Sequence, residues 1–158
     1  MAVIELEKFS EAARRALTLA DYEARYVVTG AIEPGHLLFG VVQEAPDWAG
    51  KLSGGGLTPE GVRLRLKQDY AARLQPGPWA SEEMKLSADA QAALVAAQQE
   101  AARRGQVVVG LSHLLLALLG GKDAVPARLL GEVGLTRERL EAAASSDAPP
   151  GAPSTLER

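Results

Sequence analysis

The chain says the same thing twice. Residues His36–Val42 read HLLFGVV, residues His113–Leu119 read HLLLALL, and the sequence contains no other histidine. A phrase repeated at a distance points to one supersecondary unit used twice, which restricts the fold to ways of stacking that unit on its copy. The histidines set an offset of 77 residues. At that offset Ser10 meets Ser87, Ala13 meets Ala90, Leu17 meets Leu94, Glu23 meets Glu100 and Leu52 meets Leu129. After one residue of slippage GLTPE (Gly56–Glu60) meets GLTRE (Gly134–Glu138). Alanine and leucine coincide easily in a chain that is 47% apolar, whereas an ungapped register that also matches Ser, Glu and His does not.

Each copy reads as helices. Phe9, Ala13, Ala16, Leu17, Ala20, Ala24 and Val27 recur at the period of one helix face, and Leu86, Ala90, Ala93, Leu94, Ala97 and Ala101 repeat the stripe. Ser10 and Ser87 stand where a hydroxyl caps the first turn. The stripes are mostly alanine, so neighbouring helices are expected to pack closely. The His-Leu phrase predicts a second, more buried helix. A third begins near Asp47 and near Asp123, the latter with Pro126 in its first turn, and ends at Gly54–Gly56 or Gly134. Thr58-Pro59 and Thr136 open a fourth. With aromatics at only 4% the core must be Ala, Leu and Val, which favours helices over sheets.

The expected fold is therefore all-α: a tandem duplication of a four-helix motif forming an eight-helix, pseudo-twofold bundle over residues 1–145. Repeat one covers about 9–73, a proline-broken linker 75–81, and repeat two about 86–145. Residues 146–158 have too few apolar groups to pack and are expected to be a disordered tail.

Several function classes lose support. A net charge of −3 and a pI near 5.5 leave no electrostatic footprint for nucleic acid or anionic membrane. Without cysteine there is no thiolate metal site, and neither histidine has a carboxylate suitably spaced on its helix, so no metal or other cofactor is expected. Glu33 precedes His36, but its counterpart is Gly110. The imidazoles are read as neutral and structural, bonding to the connection before each helix. MAVIELEKFS lacks the pattern of a signal peptide, and no apolar stretch approaches a membrane span, so the expectation is a soluble cytoplasmic protein. LLLALLGGKDAV carries Gly-Lys, but Asp123 replaces the magnesium-binding Ser or Thr of a phosphate loop and Leu116 its first glycine. With no G-x-S-x-G either, the chain is expected not to be an enzyme. Arg14-Arg15 and Arg103-Arg104 are flanked by Glu11, Glu23 and Glu100 and read as solvated helix faces.

The duplicated pattern of capping serine, alanine stripe, His-Leu-Leu phrase and closing glycine resembles the amino-terminal Clp repeat domain of the Clp AAA+ unfoldases, over about Phe9 to Ser145. AIEPGHLLFGVV is similar to the ClpB version and EAARRGQVVVGLSHLLLALL to the ClpC version. The resemblance implies a non-catalytic module that captures substrate proteins or adaptors for an ATPase ring, with a Clp AAA+ ATPase and its protease as possible partners. In ClpC-type domains a glutamate precedes each histidine and reads phosphoarginine. Here Gly35 and Ser112 stand in those places, so phosphoarginine is expected not to bind measurably. An apolar groove at the pseudo-twofold junction is expected to hold an extended or helical peptide instead. Candidate contacts are Ser10, Ser87, Gly35, His36, Ser112 and His113, joined by Tyr22, Tyr26 and the linker Trp79. A rival expectation is a stand-alone regulatory protein that binds one folded partner outside proteolysis.

Overall fold

The computed structural model describes residues 3–74 and 85–145. The expected linker and tail, and with them Trp79, lie outside the described residues. Within these, eight α-helices follow in order: α1 (Glu11–Ala24), α2 (Pro34–Glu44), α3 (Pro46–Leu52), α4 (Pro59–Asp69), α5 (Ala88–Arg103), α6 (Leu111–Leu119), α7 (Ala124–Glu132) and α8 (Arg137–Ser145). Each boundary has a local cause. Ser10 accepts the Ala13 N–H and Ser87 the Ala90 N–H, both at 3.0 Å, so α1 and α5 start alike. Thr58 accepts the Gly61 N–H at 3.0 Å with Pro59 at the first helical position, and Asp123 accepts the Val125 N–H at 3.0 Å. Gly54 and Gly134, with φ of 63° and 79°, let the chain leave α3 and α7 through a left-handed turn.

The sequence LLLALLGGKDAV is, as its composition suggests, a helix end and a turn: α6 closes at Gly120, and Asp123 caps α7.

The two copies are interlocked rather than merely adjacent. Phe9 and Val109 form one parallel bridge, Ile32 and Leu86 another. Ser10 N–H donates to Val109 O (2.8 Å) and Val109 N–H to Lys8 O (2.8 Å). Ser87 N–H donates to Ile32 O (3.0 Å) and Ile32 N–H to Lys85 O (2.9 Å). These four bonds map onto one another at the repeat offset, so the segment leading into the first helix of each copy pairs with the segment leading into the second helix of the other. Neither copy satisfies its own entry strand.

Helices α2 and α6 are apolar all round, and Pro34–Val42 and Leu111–Leu118 are buried throughout. They form the centre: α2 touches α1, α3, α4, α5, α6 and α7, while α6 touches α5, α7 and α8. The predicted alanine stripes face this centre, with Ala13, Ala16, Ala20 and Ala24 of α1 and Ala90, Ala93, Ala97 and Ala101 of α5 all buried.

Candidate functional site

The two histidines do the same structural job. Each sits at the third position of its helix, and its Nδ1 accepts the N–H of the residue before the helix: Glu33 N to His36 at 2.8 Å, Gly110 N to His113 at 2.8 Å. Each Nε2–H then reaches back into the preceding connection, His36 to Val27 O at 2.8 Å and His113 to Gln106 Oε1 at 2.6 Å. A carbonyl oxygen only accepts, so Nε2 carries the proton and Nδ1 is bare. Protonating Nδ1 would set two donors against each other. Burial accordingly pushes the His36 imidazole down to about 4, and burial, together with the nearby Arg104 charge, lowers that of His113.

Gly35 is held by a neighbour from far along the chain. The Tyr70 hydroxyl accepts the Gly35 N–H at 2.9 Å and donates to Asp123 Oδ2 at 2.7 Å, tying the end of α4 to the starts of α2 and α7. Arg73 lies over the Tyr70 ring and 3.4 Å from Asp123. A Cβ on residue 35 would fall 2.5 Å from Leu66 Cδ2 and 2.7 Å from the Tyr70 hydroxyl. With Tyr70 in place, there is no room at 35 for a glutamate side chain.

Six of the sequence-predicted contacts are thus committed to the fold. Gly35, His36, Ser112 and His113 are buried, and Ser10 and Ser87 spend their hydroxyls on caps. The helix starts that the four buried residues occupy are covered by the rest of the bundle. Tyr22 and Tyr26 differ: they are 58% and 69% exposed, Tyr22 in the last turn of α1 and Tyr26 in the turn just beyond it. Arg63 stacks between the Tyr26 and Phe39 rings and forks onto buried Glu23, with Nε–Oε2 at 2.9 Å and Nη2–Oε1 at 2.7 Å.

A groove of about 570 Å³ crosses the junction of the two copies. Leu17 of α1 and Leu94 of α5, equivalent residues of the two repeats, both line it, together with Ile32, Leu37 and Leu86. A strap of residues 3–8 closes one side with Ile4 and Leu6. Gln98 fastens that strap by accepting the Glu5 N–H (2.6 Å) and donating to Val3 O (2.8 Å), imitating a neighbouring strand. Arg14, Thr18 and Asp21 form the polar rim. A second hollow, of about 500 Å³, lies on the far face of α5 and has more amide character, with Gln98, Gln99 and Gln106 beside the exposed Val107.

Of the groove residues, the repeat alignment singles out Leu17, Leu94 and Leu37, the last within the repeated His-Leu-Leu phrase. Arg14, Thr18 and Asp21 form a polar stripe beside Leu17 at helical spacing. The contribution of the strap has no local signature. Among the described residues no group of three His, Cys, Asp or Glu is placed to hold a metal, and no helix is long and apolar enough to cross a membrane.

The duplicated bundle has counterparts. A family model for the Clp repeat (R) N-terminal domain matches residues 85–155. The N-terminal domain of the caseinolytic protease associated chaperone ClpD from Arabidopsis thaliana superposes with a TM-score of 0.71 at 24% identity, covering 91% of this chain and 96% of that one. This chain is a Clp repeat domain. It is 29% identical over 136 residues to the negative regulator of genetic competence ClpC/MecB of Bacillus subtilis, and 28% identical over 130 residues to the chaperone protein ClpB of Oceanobacillus iheyensis. Each alignment takes in 82% of this chain but only 16% of the relative. The Clp repeat domain here therefore corresponds to a small part of those proteins, and its 158 residues contain no phosphate-binding loop.

Proposed function

We propose that this Clp repeat domain is a non-catalytic polypeptide-binding module that takes segments of substrate proteins, or of an adaptor, into the groove between its two copies for a Clp-type AAA+ ATPase. The observation that carries this reading is the groove itself. It is open and mostly apolar, and equivalent residues of the two repeats, Leu17 and Leu94, are both among its lining. An apolar trough with a few polar rim groups suits an amphipathic helix or an extended chain. One of the relatives is named chaperone protein ClpB, which supports polypeptide segments as the clients.

The rival reading, a stand-alone regulator of one folded partner, draws on a different surface. Exposed Tyr22 and Tyr26 beside Arg63 have the composition of a protein–protein hot spot. Affinity capture from native extract, read by mass spectrometry, separates the two when run with the wild type, Leu17→Gln and Tyr26→Ala in parallel. A Clp ATPase or its protease recovered with a scatter of unrelated clients, the clients lost with Leu17→Gln, is the expected result. A single stoichiometric partner lost with Tyr26→Ala instead would overturn it.

A further inference from the structure

The groove carries a charge that no described residue answers. Leu17 and Thr18 lie three and four residues after Arg14, and Asp21 lies three after Thr18 and four after Leu17, so all four face the groove from α1. The carboxylate of Asp21 is answered by Arg25 at 3.4 Å. The Arg14 guanidinium has no hydrogen bond or ion pair with any described residue. Its neighbour Arg15 binds Glu44 at 2.7 Å, and Arg63, Arg73 and Arg137 hold Glu23, Asp123 and Glu100. The residue equivalent to Arg14 in the second copy is Gln91, which is neutral and donates to Leu86 O at 3.2 Å. Among the described residues, the groove therefore has apolar walls and one uncompensated positive group at one end.

We propose that the groove selects a partner polypeptide segment whose apolar side chains are flanked by a carboxylate, and that Arg14 is the specificity-determining residue. This rests on the groove reading above. A guanidinium meets a carboxylate with two parallel hydrogen bonds, a geometry that an amide or an ammonium does not reproduce. The chain's net charge of −3 opposes acidic partners in general. At physiological salt, however, charges more than about 8 Å away are largely screened, so the group in contact decides.

The test uses two fluorescein-labelled peptides, each with leucines three and four residues apart on one helical face. One carries glutamate at a flanking position and the other glutamine at the same place. Fluorescence anisotropy is expected to show the glutamate peptide binding about two- to fivefold more tightly at low salt, the range an exposed ion pair supports. The preference should shrink as salt rises, vanish in Arg14→Gln, and pass to a lysine peptide in Arg14→Glu. Arg14 is exposed, so these variants keep the fold, which circular dichroism checks. Equal binding of the two peptides to the wild type, with both weakened by Leu17→Gln, overturns the role of Arg14 and leaves the groove reading standing. If Leu17→Gln leaves both affinities unchanged, or if neither peptide binds the wild type, the groove reading fails and this inference fails with it.

Discussion

The first pair of helices, α1 and α2, and its copy, α5 and α6, share a backbone plan and differ in how tightly they close. In the first pair Gly40 lies so near α1 that a Cβ would fall 2.1 Å from the carbonyl oxygen of Ala16. The equivalent residue in the second pair is Ala117, which is accommodated while buried. The charged residues follow the same split. Glu23 is sealed under a single two-pronged arginine, Arg63, whereas Glu100 gathers Arg103, Arg104 and Arg137. The histidines differ in their second partner, a main-chain carbonyl in one copy and a side-chain amide in the other. Duplication has kept what the backbone needs, namely the caps, the histidine hinges and the exchanged bridges. It has let the side-chain partners drift.

The comparison breaks most sharply at the close approach. Gly40→Ala should cost about 3 kcal/mol or more, because main chain cannot yield as a side chain can. Ala117→Gly should cost only about 1 kcal/mol, mainly helix propensity. Urea unfolding of the two variants measures both, and equal losses would mean that the pairs are closed to the same degree.

Acid should act next, and at different pH in the two copies. The His36 pKa of about 4 lies below its unfolded value of 6.5. The unfolded chain therefore takes up the proton first as pH falls. The stability that depends on neutral His36 is full above about pH 6.5 and is lost towards pH 4, by about 3 kcal/mol. For Glu100, burial pushes the carboxyl up, but hydrogen bonds from Arg137, Arg103 and Arg104 outweigh that and hold it at about 2. Its contribution is full above pH 4.5 and disappears only as pH falls towards 2. Stability measured against pH should thus decline in two steps, the upper one flattened by His36→Asn and the lower by Glu100→Gln. A single step unaffected by His36→Asn would refute the assignment.

Tyr70→Phe should follow, at about 1–3 kcal/mol, since it leaves the Gly35 N–H and one oxygen of Asp123 without their buried partner. Amide exchange at Gly35 should speed up beyond the global change. The smallest effect should also be the most symmetric. Ser10→Ala and Ser87→Ala each remove one cap bond of the same length and should each cost about 1 kcal/mol. A clear difference between them in thermal unfolding would show that the helix starts have diverged as well.

Much of this architecture was legible in the chain, and for a physical reason. Ser10, Ser87, Thr58 and Asp123 act on backbone groups two or three residues away, so their effect is written locally. The alanine stripes declare a buried face by spacing alone. The structural role of the histidines followed from the lack of any ligand set around them. Burial of the candidate contacts was not legible, because helix starts that look polar and available in sequence are covered once the helices pack, Gly35 by Leu66 and Tyr70 of its own copy. Nothing near Gly35 announces Tyr70, and nothing near Glu23 announces Arg63, 40 residues on.

By itself, then, the sequence determined the helices, their caps, the duplication and the apolar character of α2 and α6, all of which depend on neighbours within a turn or on a repeat that is visible as text. Tertiary structure alone decided which carboxylates are buried and which arginines answer them, and it decided where the groove lies. A buried charge is tolerated only beside a partner brought from a distant helix. The groove exists only where the strap, α1, α2 and α5 meet, and it leaves Arg14 facing it with no partner among the described residues.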